Sequence, residues 1–290
     1  MEATDFASDL AAKRDRLLAV LAELPGVAVA FSGGIDSTVV AKAAYLTLGS
    51  RAVAVTADSP SVARSELALA HELAQRIGIR HIVVATEEFD NPDYLKNDGN
   101  RCYHCKSELY SRIERLLPEL GISVIASGAN LDDRGDYRPG LAAAAEHAVH
   151  HPLQDAGFTK ADVRALAKHW GLPTWDKPAS PCLSSRVAPG VAVTPERTAR
   201  IEAAEEYLRS LGLRECRVRC HVGELARIEV PPSEVAKIAA EPVRGNLARE
   251  FRRLGFQFIA LDLDGFRSGS LNQLVPLELK SRFATALASG

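Results

Sequence analysis

A chain of 290 residues, 47% of them hydrophobic and 25% charged, is long enough for one large or two modest domains, each with a core of its own. Its 35 basic and 37 acidic side chains leave a net charge of −2, which excludes a global field drawing it onto nucleic acid or an anionic membrane, though not a local basic site. The opening MEATDFASDL carries no apolar leader-like run, and no stretch reaches the roughly 18 consecutive apolar residues of a membrane span, so a cytoplasmic location is expected.

In chain order, an amphipathic helix is predicted over residues 9–24. Short apolar runs at 27–31, 52–57, 81–85 and 123–127 then alternate with helical patterns at 37–48, 61–77 and 106–120. This βαβα order predicts an α/β fold, a doubly wound, mostly parallel sheet with helices on both faces. Between 172 and 193, Pro173, Pro178, Pro181, Pro189 and Gly190 with intervening serines mark a loop and hinge. The expected domains are therefore 1–185 and 186–290. Beyond the hinge, Thr194-Pro195-Glu196 reads as a helix start, with Thr as cap and Pro in the first turn. Strands at 216–220 and 225–230, a helix near 243–254, a strand at 256–261 and a terminal helix complete a smaller α+β domain.

Ser32-Gly33-Gly34-Ile35-Asp36-Ser37 follows the first strand, at the edge where ligands of a doubly wound sheet bind. Without β-carbons, Gly33 and Gly34 let backbone N–H groups approach phosphate oxygens, while the hydroxyls of Ser32 and Ser37 and the next helix N-terminus add donors. A bare Gly-Gly would serve a tight turn equally well. Ser127-Gly128-Ala129-Asn130-Leu131-Asp132-Asp133 follows the fourth strand on the same edge, where paired carboxylates suit Mg²⁺ or cap a turn. Thr56-Ala57-Asp58-Ser59 ends the second strand with residue types that carry no signal of their own.

The five cysteines form no even disulfide framework. Arg101-Cys102-Tyr103-His104-Cys105-Lys106 places a C-x-x-C just before a helix: a redox pair, half of a zinc site with His104 as a further ligand, or two plain thiols. Cys182, in the Pro-rich loop, could swing toward the same pocket, and three thiolates suit a 4Fe-4S cluster with one iron left open. Lys106, Lys177 and Arg186 lie beside these thiols in sequence, as counter-charges or as solvated residues. In Cys216-Arg217-Val218-Arg219-Cys220-His221, alternation puts Arg217, Arg219 and His221 on one face, a phosphate clamp or an ion-paired sheet face. Arg227 and Glu229 share a face of the next strand, and Cys216 and Cys220 point away as small buried hydrophobes.

The string S-G-G-x-D-S after an apolar strand resembles the PP-loop of N-type ATP pyrophosphatases, whose fold is adenine nucleotide alpha hydrolase-like. That resemblance implies ATP cleaved at the α-phosphorus with pyrophosphate leaving, nucleotide contacts from Ser32, Gly33, Gly34, Asp36, Ser37, Thr56, Gly128 and Asn130, and Mg²⁺ on Asp36 and Asp132. The segments SGGIDSTVV, NRCYHCKSELYSRI, SGANLDDRGDYRPG, PLQDAGFTKADVRALAKHWGLPTWDKPASPCLSSR, RVRCHVGELARIEV and DLDGFRSGSLN, spread over nearly the whole chain, resemble a narrower family. It is the LarE family of ATP-dependent sulfur transferases, or sulfur insertases, of the lactate racemase nickel-pincer cofactor pathway.

The family implies adenylation of the carboxylate of pyridinium-3,5-biscarboxylic acid mononucleotide, followed by sulfur insertion to a thiocarboxylate with AMP release. It implies substrate contacts at Arg186, Arg217, Arg219, Glu205 and Glu229, a late Arg267 reaching a phosphate or a neighbouring subunit, and homo-oligomers. One version of the family gives up the sulfur of a single cysteine, leaving dehydroalanine. The other holds a 4Fe-4S cluster with an extra sulfide on three cysteines and draws on a sulfide donor. Cys102, Cys105 and Cys182 are all present, which points to the cluster version with Cys182 as a ligand. Against a tRNA thiolase stands the near-neutral charge, since polynucleotide affinity comes from phosphate neutralisation; an amide synthetase has no use for three placed thiols. Against a zinc-stabilised nucleotide sensor stand the intact loop and Asp132-Asp133. No nucleic acid or membrane partner is expected.

Overall fold

The computed structural model describes residues 2–133, 139–178 and 180–267, the side chains of 2–7 excepted. In chain order the elements are α1 (Glu2–Ala22), β1 (Val27–Ala30), α2 (Ile35–Leu48), β2 (Ala52–Asp58), α3 (Arg64–Ile77), β3 (Arg80–Ala85), α4 (Pro92–Lys96), α5 (Arg101–Leu120) and β4 (Val124–Ala126). There follow α6 (Pro139–Glu146), α7 (Pro152–Asp155), α8 (Lys160–His169), α9 (Pro195–Ser210), β5 (Arg217–His221), β6 (Leu225–Glu229), α10 (Val235–Ala239), α11 (Val243–Arg253) and β7 (Phe258–Leu261). The described residues fall into two compact units, 2–88 with 102–180, and 89–101 with 181–267.

The first unit is built on a parallel sheet of order β3-β2-β1-β4. Alternation sorts its side chains onto two faces. Val27, Val29 and Phe31 of β1 and Ala52 and Ala54 of β2 join a core with Leu17 and Leu21 of α1, Val39 and Val40 of α2, Leu73 of α3 and Leu166 of α8. Ala28, Ala30, Val53 and Val55 join the opposite core with Leu109, Tyr110 and Ile113 of α5 and Ala143 and Ala144 of α6. Both faces are thus covered, as a parallel sheet requires. Each fully buried leucine, isoleucine or phenylalanine contributes about 1.5–3 kcal/mol relative to exposure. From β1 the chain winds outward through β2 to β3, then returns to β1's other side as β4. Strand direction of progress reverses between β1 and β4, and the crevice beyond their carboxyl ends is where such sheets take ligands.

The second unit carries a smaller mixed sheet, β5 antiparallel to β6 and β6 parallel to β7. Val218, Cys216 and Cys220 are buried on the side facing α9, where the Cys216 Sγ lies 3.8 Å from the Glu205 carbonyl. Phe251 of α11 and Phe256 add the largest buried rings of this unit's α11–β7 corner.

Two features depart from the sequence reading. The C-x-x-C lies within the first turn of α5 rather than before a helix, because the buried periodic positions begin only at Leu109 and the polar turns ahead of it carry no periodic signal. The contact division falls after residue 180 and also assigns 89–101 to the second unit, whereas the sequence suggested a single cut after 185. The expected terminal helix and most of the late Gly265–Gly269 motif's end lie outside the described residues. No helix among the described residues is long and apolar enough to cross a membrane.

Helix α8 starts at a reciprocal cap. The Thr159 hydroxyl accepts from the Asp162 N–H, and the Asp162 carboxylate accepts from the Thr159 N–H at 2.9 Å and from Lys13 at 3.0 Å. Thr159→Ala should lower the unfolding free energy by about 1 kcal/mol, read as a lower urea midpoint at unchanged slope; an unchanged midpoint would show that the cap carries no weight.

Candidate active site

The turn from β1 into α2 is held by its own side chains. The Ser32 and Ser37 hydroxyls meet at 3.2 Å, Ser37 Oγ donates to the Gly34 carbonyl at 3.1 Å, and Thr38 Oγ1 donates to the same carbonyl at 2.7 Å. Gly33 takes φ 67°, a left-handed conformation that a side chain disfavours. Gly34 stands at the N-cap of α2 with no side-chain cap; the Asp36 amide turns to its own carboxylate, and the helix N-terminus offers its dipole and its other first-turn amides to an anion.

The loop after β4 closes on this turn. A Cβ on Gly128 would sit 2.7 Å from the Ser37 amide nitrogen, so only glycine allows the approach. Asn130, fully buried, donates from Nδ2 to Asp36 Oδ1 at 2.8 Å and is itself fixed by Gln154, which donates to its carbonyl at 3.0 Å, and by the Asp132 N–H, which donates to its Oδ1 at 3.0 Å. The Asn130 N–H donates to Asp133 Oδ2 at 3.1 Å. Burial pushes the Asp36 carboxyl above the ordinary range; the nearby Asp133 charge adds to the rise, against Asn130 and Lys160. Lys160 Nζ lies 3.4 Å from Asp133 Oδ1 and so shares in the charge balance around Asp36.

The carboxylate that Asp36 feels is therefore that of Asp133, whereas Asp132, the residue singled out from sequence, has its Oδ2 on the Lys160 N–H at 2.7 Å. The Asx turn at Asn130 decides which of the adjacent aspartates turns inward, a distinction that two identical letters do not reveal. Lys160 was likewise unmarked in the sequence reading; its place as the first residue of α8, capped by Thr159, brings it here.

Thr56 is turned into the sheet. Its hydroxyl donates to the Phe31 carbonyl at 2.7 Å, so the 2.8 Å contact with His81 Nε2 must be a donation from the imidazole. The side chain expected to touch nucleotide instead ties β2 to the end of β1 just ahead of Ser32. Burial, with His71 beside it, lowers the His81 pKa, and its ring also packs edge-on against Phe31 at 5.8 Å.

The five cysteines are all thiols, in two kinds of place. Cys102 and Cys105 stand three apart on the first turn of α5 in the first unit, exposed and half-buried, on one helical face. Gly140 of α6 backs this turn. Cys182 is half-buried in the second unit at the head of the turn Leu183–Arg186. Its backbone is held: Ser185 N–H and Oγ donate to the Cys182 carbonyl at 3.0 and 2.6 Å, and Arg186 Nη1 at 2.8 Å. The loop from which the sequence let Cys182 swing is thus a bonded turn. Cys216 and Cys220 are buried, and burial, with Glu205 and Glu224 nearby, pushes both up to about 11. Among the described residues no three His, Cys, Asp or Glu side chains stand together as a metal site.

In the second unit the arginine face forms as alternation predicted. Arg219 donates twice to the buried Glu229, at 3.0 and 2.8 Å, and Arg227 reaches Glu229 at 3.0 Å. Arg186, itself buried, pairs with the fully buried Glu205 at 3.0 Å, and Arg209 reaches Glu205 at 3.1 Å. Arg217 lies against the Phe266 ring at 5.1 Å; burial lowers its pKa, and the charges of Arg186 and Arg219 add to that. With Asp262 paired to Arg227, the five arginines Arg186, Arg209, Arg217, Arg219 and Arg227 outnumber the three carboxylates Glu205, Glu229 and Asp262, a local positive excess. Lys177, by contrast, pairs with Glu66 at 2.5 Å in the first unit.

Comparison with known proteins gives this geometry a context. Residues 21–97, which carry β1, the glycine turn, α2, β2 and β3, match the asparagine synthase family. The chain is 40% identical over 277 residues to the pyridinium-3,5-bisthiocarboxylic acid mononucleotide synthase of Lactiplantibacillus plantarum, spanning 95% of this chain and 99% of that protein. It is 45% identical over 266 residues to an uncharacterised protein of Synechocystis, spanning 92% and 99%. A tRNA-specific 2-thiouridylase MnmA of Azorhizobium caulinodans is 30% identical over 193 residues, 53% of this chain and 49% of that protein.

Because burial lowers the His81 pKa, the unfolded chain takes up this proton near the ordinary value of 6.5 and the folded chain only at lower pH. The contribution is fully present above that pH and is lost as pH falls through the window below it. Unfolding free energy measured between pH 7.5 and 5 should therefore drop for the wild type, and the His81→Gln variant, which keeps a donor for Thr56, should lack that part of the slope. Parallel slopes would mean that His81 protonates in the folded state.

Proposed function

The chain belongs to the family of the pyridinium-3,5-bisthiocarboxylic acid mononucleotide synthase, the LarE sulfur transferases, and we propose that it adenylates a carboxylate of pyridinium-3,5-biscarboxylic acid mononucleotide and replaces the activated oxygen with sulfur. It is an ATP-dependent, sulfur-transferring enzyme of the PP-loop type. The observation that carries the reading is the meeting of the Ser32–Ser37 turn with the Ser127–Asp133 loop at the sheet's switch point, in a chain that aligns end to end with that synthase. The thiouridylase likeness spans only about half of this chain, against 95% for the synthase.

In this reading the open amides of α2, with Ser32, Gly33, Gly34 and Ser37, hold the β- and γ-phosphates. Asp36 and Asp133, with Asp132 alongside, are the acidic group that fits Mg²⁺: their crowding raises the Asp36 pKa, and a divalent cation would relieve it and offset charge on the departing pyrophosphate. Lys160 lends its ammonium to the same charge. A substrate carboxylate oxygen attacks the α-phosphorus, the α–β bond breaks and pyrophosphate leaves. Sulfide then attacks the acyl carbon, the C–O bond breaks and AMP carries the oxygen away, because adenylate is a far better leaving group than oxide.

Sulfur enters through Cys102, Cys105 and Cys182. Their chemistry fits a 4Fe-4S cluster: they are the thiols outside the cores, two of them on one helical turn, while Cys216 and Cys220 are held protonated. Such a cluster, with three protein ligands, would supply a sulfide on its open iron. In the second unit Arg217 and Arg219, with Arg186 set by Glu205 and Arg219 set by Glu229, receive the mononucleotide phosphate. The enzyme acts in the cytoplasm as a homo-oligomer resupplied by a sulfide donor.

With ATP and the mononucleotide, Asp36→Ala should abolish pyrophosphate release, whereas Cys182→Ala should release pyrophosphate at near wild-type rate and form no thiocarboxylate. Thiocarboxylate from Cys182→Ala would refute the sulfur route. Loss of hydrogen sulfide mass from Cys182 during turnover, without iron in the protein, would replace the cluster by a sacrificial cysteine.

Arg217→Ala should raise KM for the mononucleotide about tenfold to a hundredfold, the loss of one charged hydrogen bond, with KM for ATP unchanged. It is the cleaner variant, since removing Arg219 strands the buried Glu229. An equal loss for both substrates would sink the clamp.

A further inference from the structure

Residues 89–101 interrupt the first unit, between β3 and the body of α5, and belong by contact to the second. They form a strap. Asn91 caps the short α4 by accepting from the Asp93 N–H at 2.9 Å, Pro92 opens it, and Asn97 closes it in a left-handed conformation, φ 54°, that asparagine tolerates better than most residues. The strap lies along the segment that carries Cys182. The hydroxyl of Tyr94, a residue only 1% exposed, meets the buried Ser184 hydroxyl at 2.8 Å; the Val193 N–H donates to the Leu95 carbonyl at 2.9 Å, and the Gly190 N–H to the Asn97 carbonyl at 3.0 Å.

Asn97 is the knot. With 3% of its surface exposed, its side-chain amide donates to the carbonyls of Val187, Ala188 and Val191, at 3.2, 2.9 and 3.1 Å, while its Oδ1 accepts from the Arg101 guanidinium. Those carbonyls lie in an irregular stretch; the Ala188 oxygen also accepts from the Val191 N–H at 3.0 Å, and the two amide hydrogens, shared among the three oxygens, tie this stretch to the strap. Arg101 is the residue before Cys102. On the far side of the Cys182 turn, the Arg186–Glu205 pair holds the same backbone to α9. The turn bearing Cys182 and the strap 89–101 are thereby parts of one bonded piece of the second unit.

We propose that Asn97 is a positioning residue for sulfur transfer: its amide locks the stretch that follows the Cys182 turn to the strap 89–101, and so sets the backbone from which the Cys182 thiol projects. This rests on the sulfur route through Cys182 proposed above. Asn97 touches neither nucleotide nor reacting atoms in this account, so adenylation should not depend on it.

The test is Asn97→Asp in the full-length protein. Aspartate keeps the size, the left-handed backbone and the acceptor for Arg101, but sets a carboxylate oxygen against the three carbonyls. Three readouts are taken: amide hydrogen exchange over residues 183–193, the alkylation rate of Cys182 by iodoacetamide followed by mass spectrometry, and thiocarboxylate formed per pyrophosphate released. The expectation is exchange and alkylation faster by about tenfold or more, pyrophosphate release within about twofold of wild type, and a thiocarboxylate-to-pyrophosphate ratio lowered about tenfold. Wild-type exchange, alkylation and ratio in the variant would overturn the proposal, as would loosened exchange with the ratio unchanged. Should Asn97→Asp fail to fold, Tyr94→Phe, which removes only the hydroxyl on Ser184, is read the same way with a smaller effect. If the wild type forms no thiocarboxylate at all, the sulfur reading fails, while exchange and alkylation still report whether Asn97 holds the turn.

Discussion

The loop after β4 runs so near the start of α2 that a side chain on Gly128 would meet the Ser37 amide at 2.7 Å, and this approach constrains both loops. It brings Asn130 within 2.8 Å of Asp36 and sets Asp133 and Lys160 around them. The strand order makes it possible: only because β4 returns to the side of β1 opposite β2 do the two loops share a crevice. The apolar alternation of β1 and β2 serves the same end, since a sheet packed on both faces gives its loop ends a fixed base. Thr56 extends that base, linking three strands through the Phe31 carbonyl and His81 directly beneath the glycine turn.

Charge is arranged at this crevice in a way that folding alone would not favour. Asp36 loses water and sits near a second carboxylate, and both effects disfavour its ionised form. Such a group reduces the stability of the protein without ligands at neutral pH, and residues of this kind concentrate where a cation or reacting anion is to be held. Asn130 and Lys160 limit the cost by donating a hydrogen bond and a positive charge. The result is a set of groups poised between mutual repulsion and a partial, displaceable compensation.

Much of this was legible in the residues. Strands with clean apolar runs, the glycine turn, and the turning of Cys216 and Cys220 away from the arginine face into the interior follow from periodicity and spacing that the chain displays over four or more residues at a time. What escaped detection depends on contacts between distant residues or on single hydrogen bonds. The choice between Asp132 and Asp133 turns on one Asx turn. Thr56 faces inward because of an imidazole that is 25 positions away in sequence. The strap at 89–101 is too short to show periodicity, and its allegiance to the second unit rests on Tyr94 and Asn97 meeting residues about 90 positions on. The first turns of α5 are polar, so nothing in their pattern announced that Cys102 and Cys105 begin a helix.

Sulfur chemistry in a chain with five cysteines requires that some thiols be excluded as firmly as others are placed. A thiol must lose its proton to bind iron or attack a carbon, and the energy of doing so rises when the charge has no water to face. Cys216 and Cys220 lie on the α9 side of β5, beside Glu205 and Glu224, and hold their protons to about pH 11. At neutral pH the ionised fraction of either is then on the order of one part in ten thousand. Cys102, Cys105 and Cys182 lie outside the cores, two on a helical turn and one at the head of a bonded turn. The strand alternation that gathers Arg217 and Arg219 on one face of β5 necessarily turns Cys216 and Cys220 to the other, so one structural rule both groups the arginines and withdraws two thiols from them.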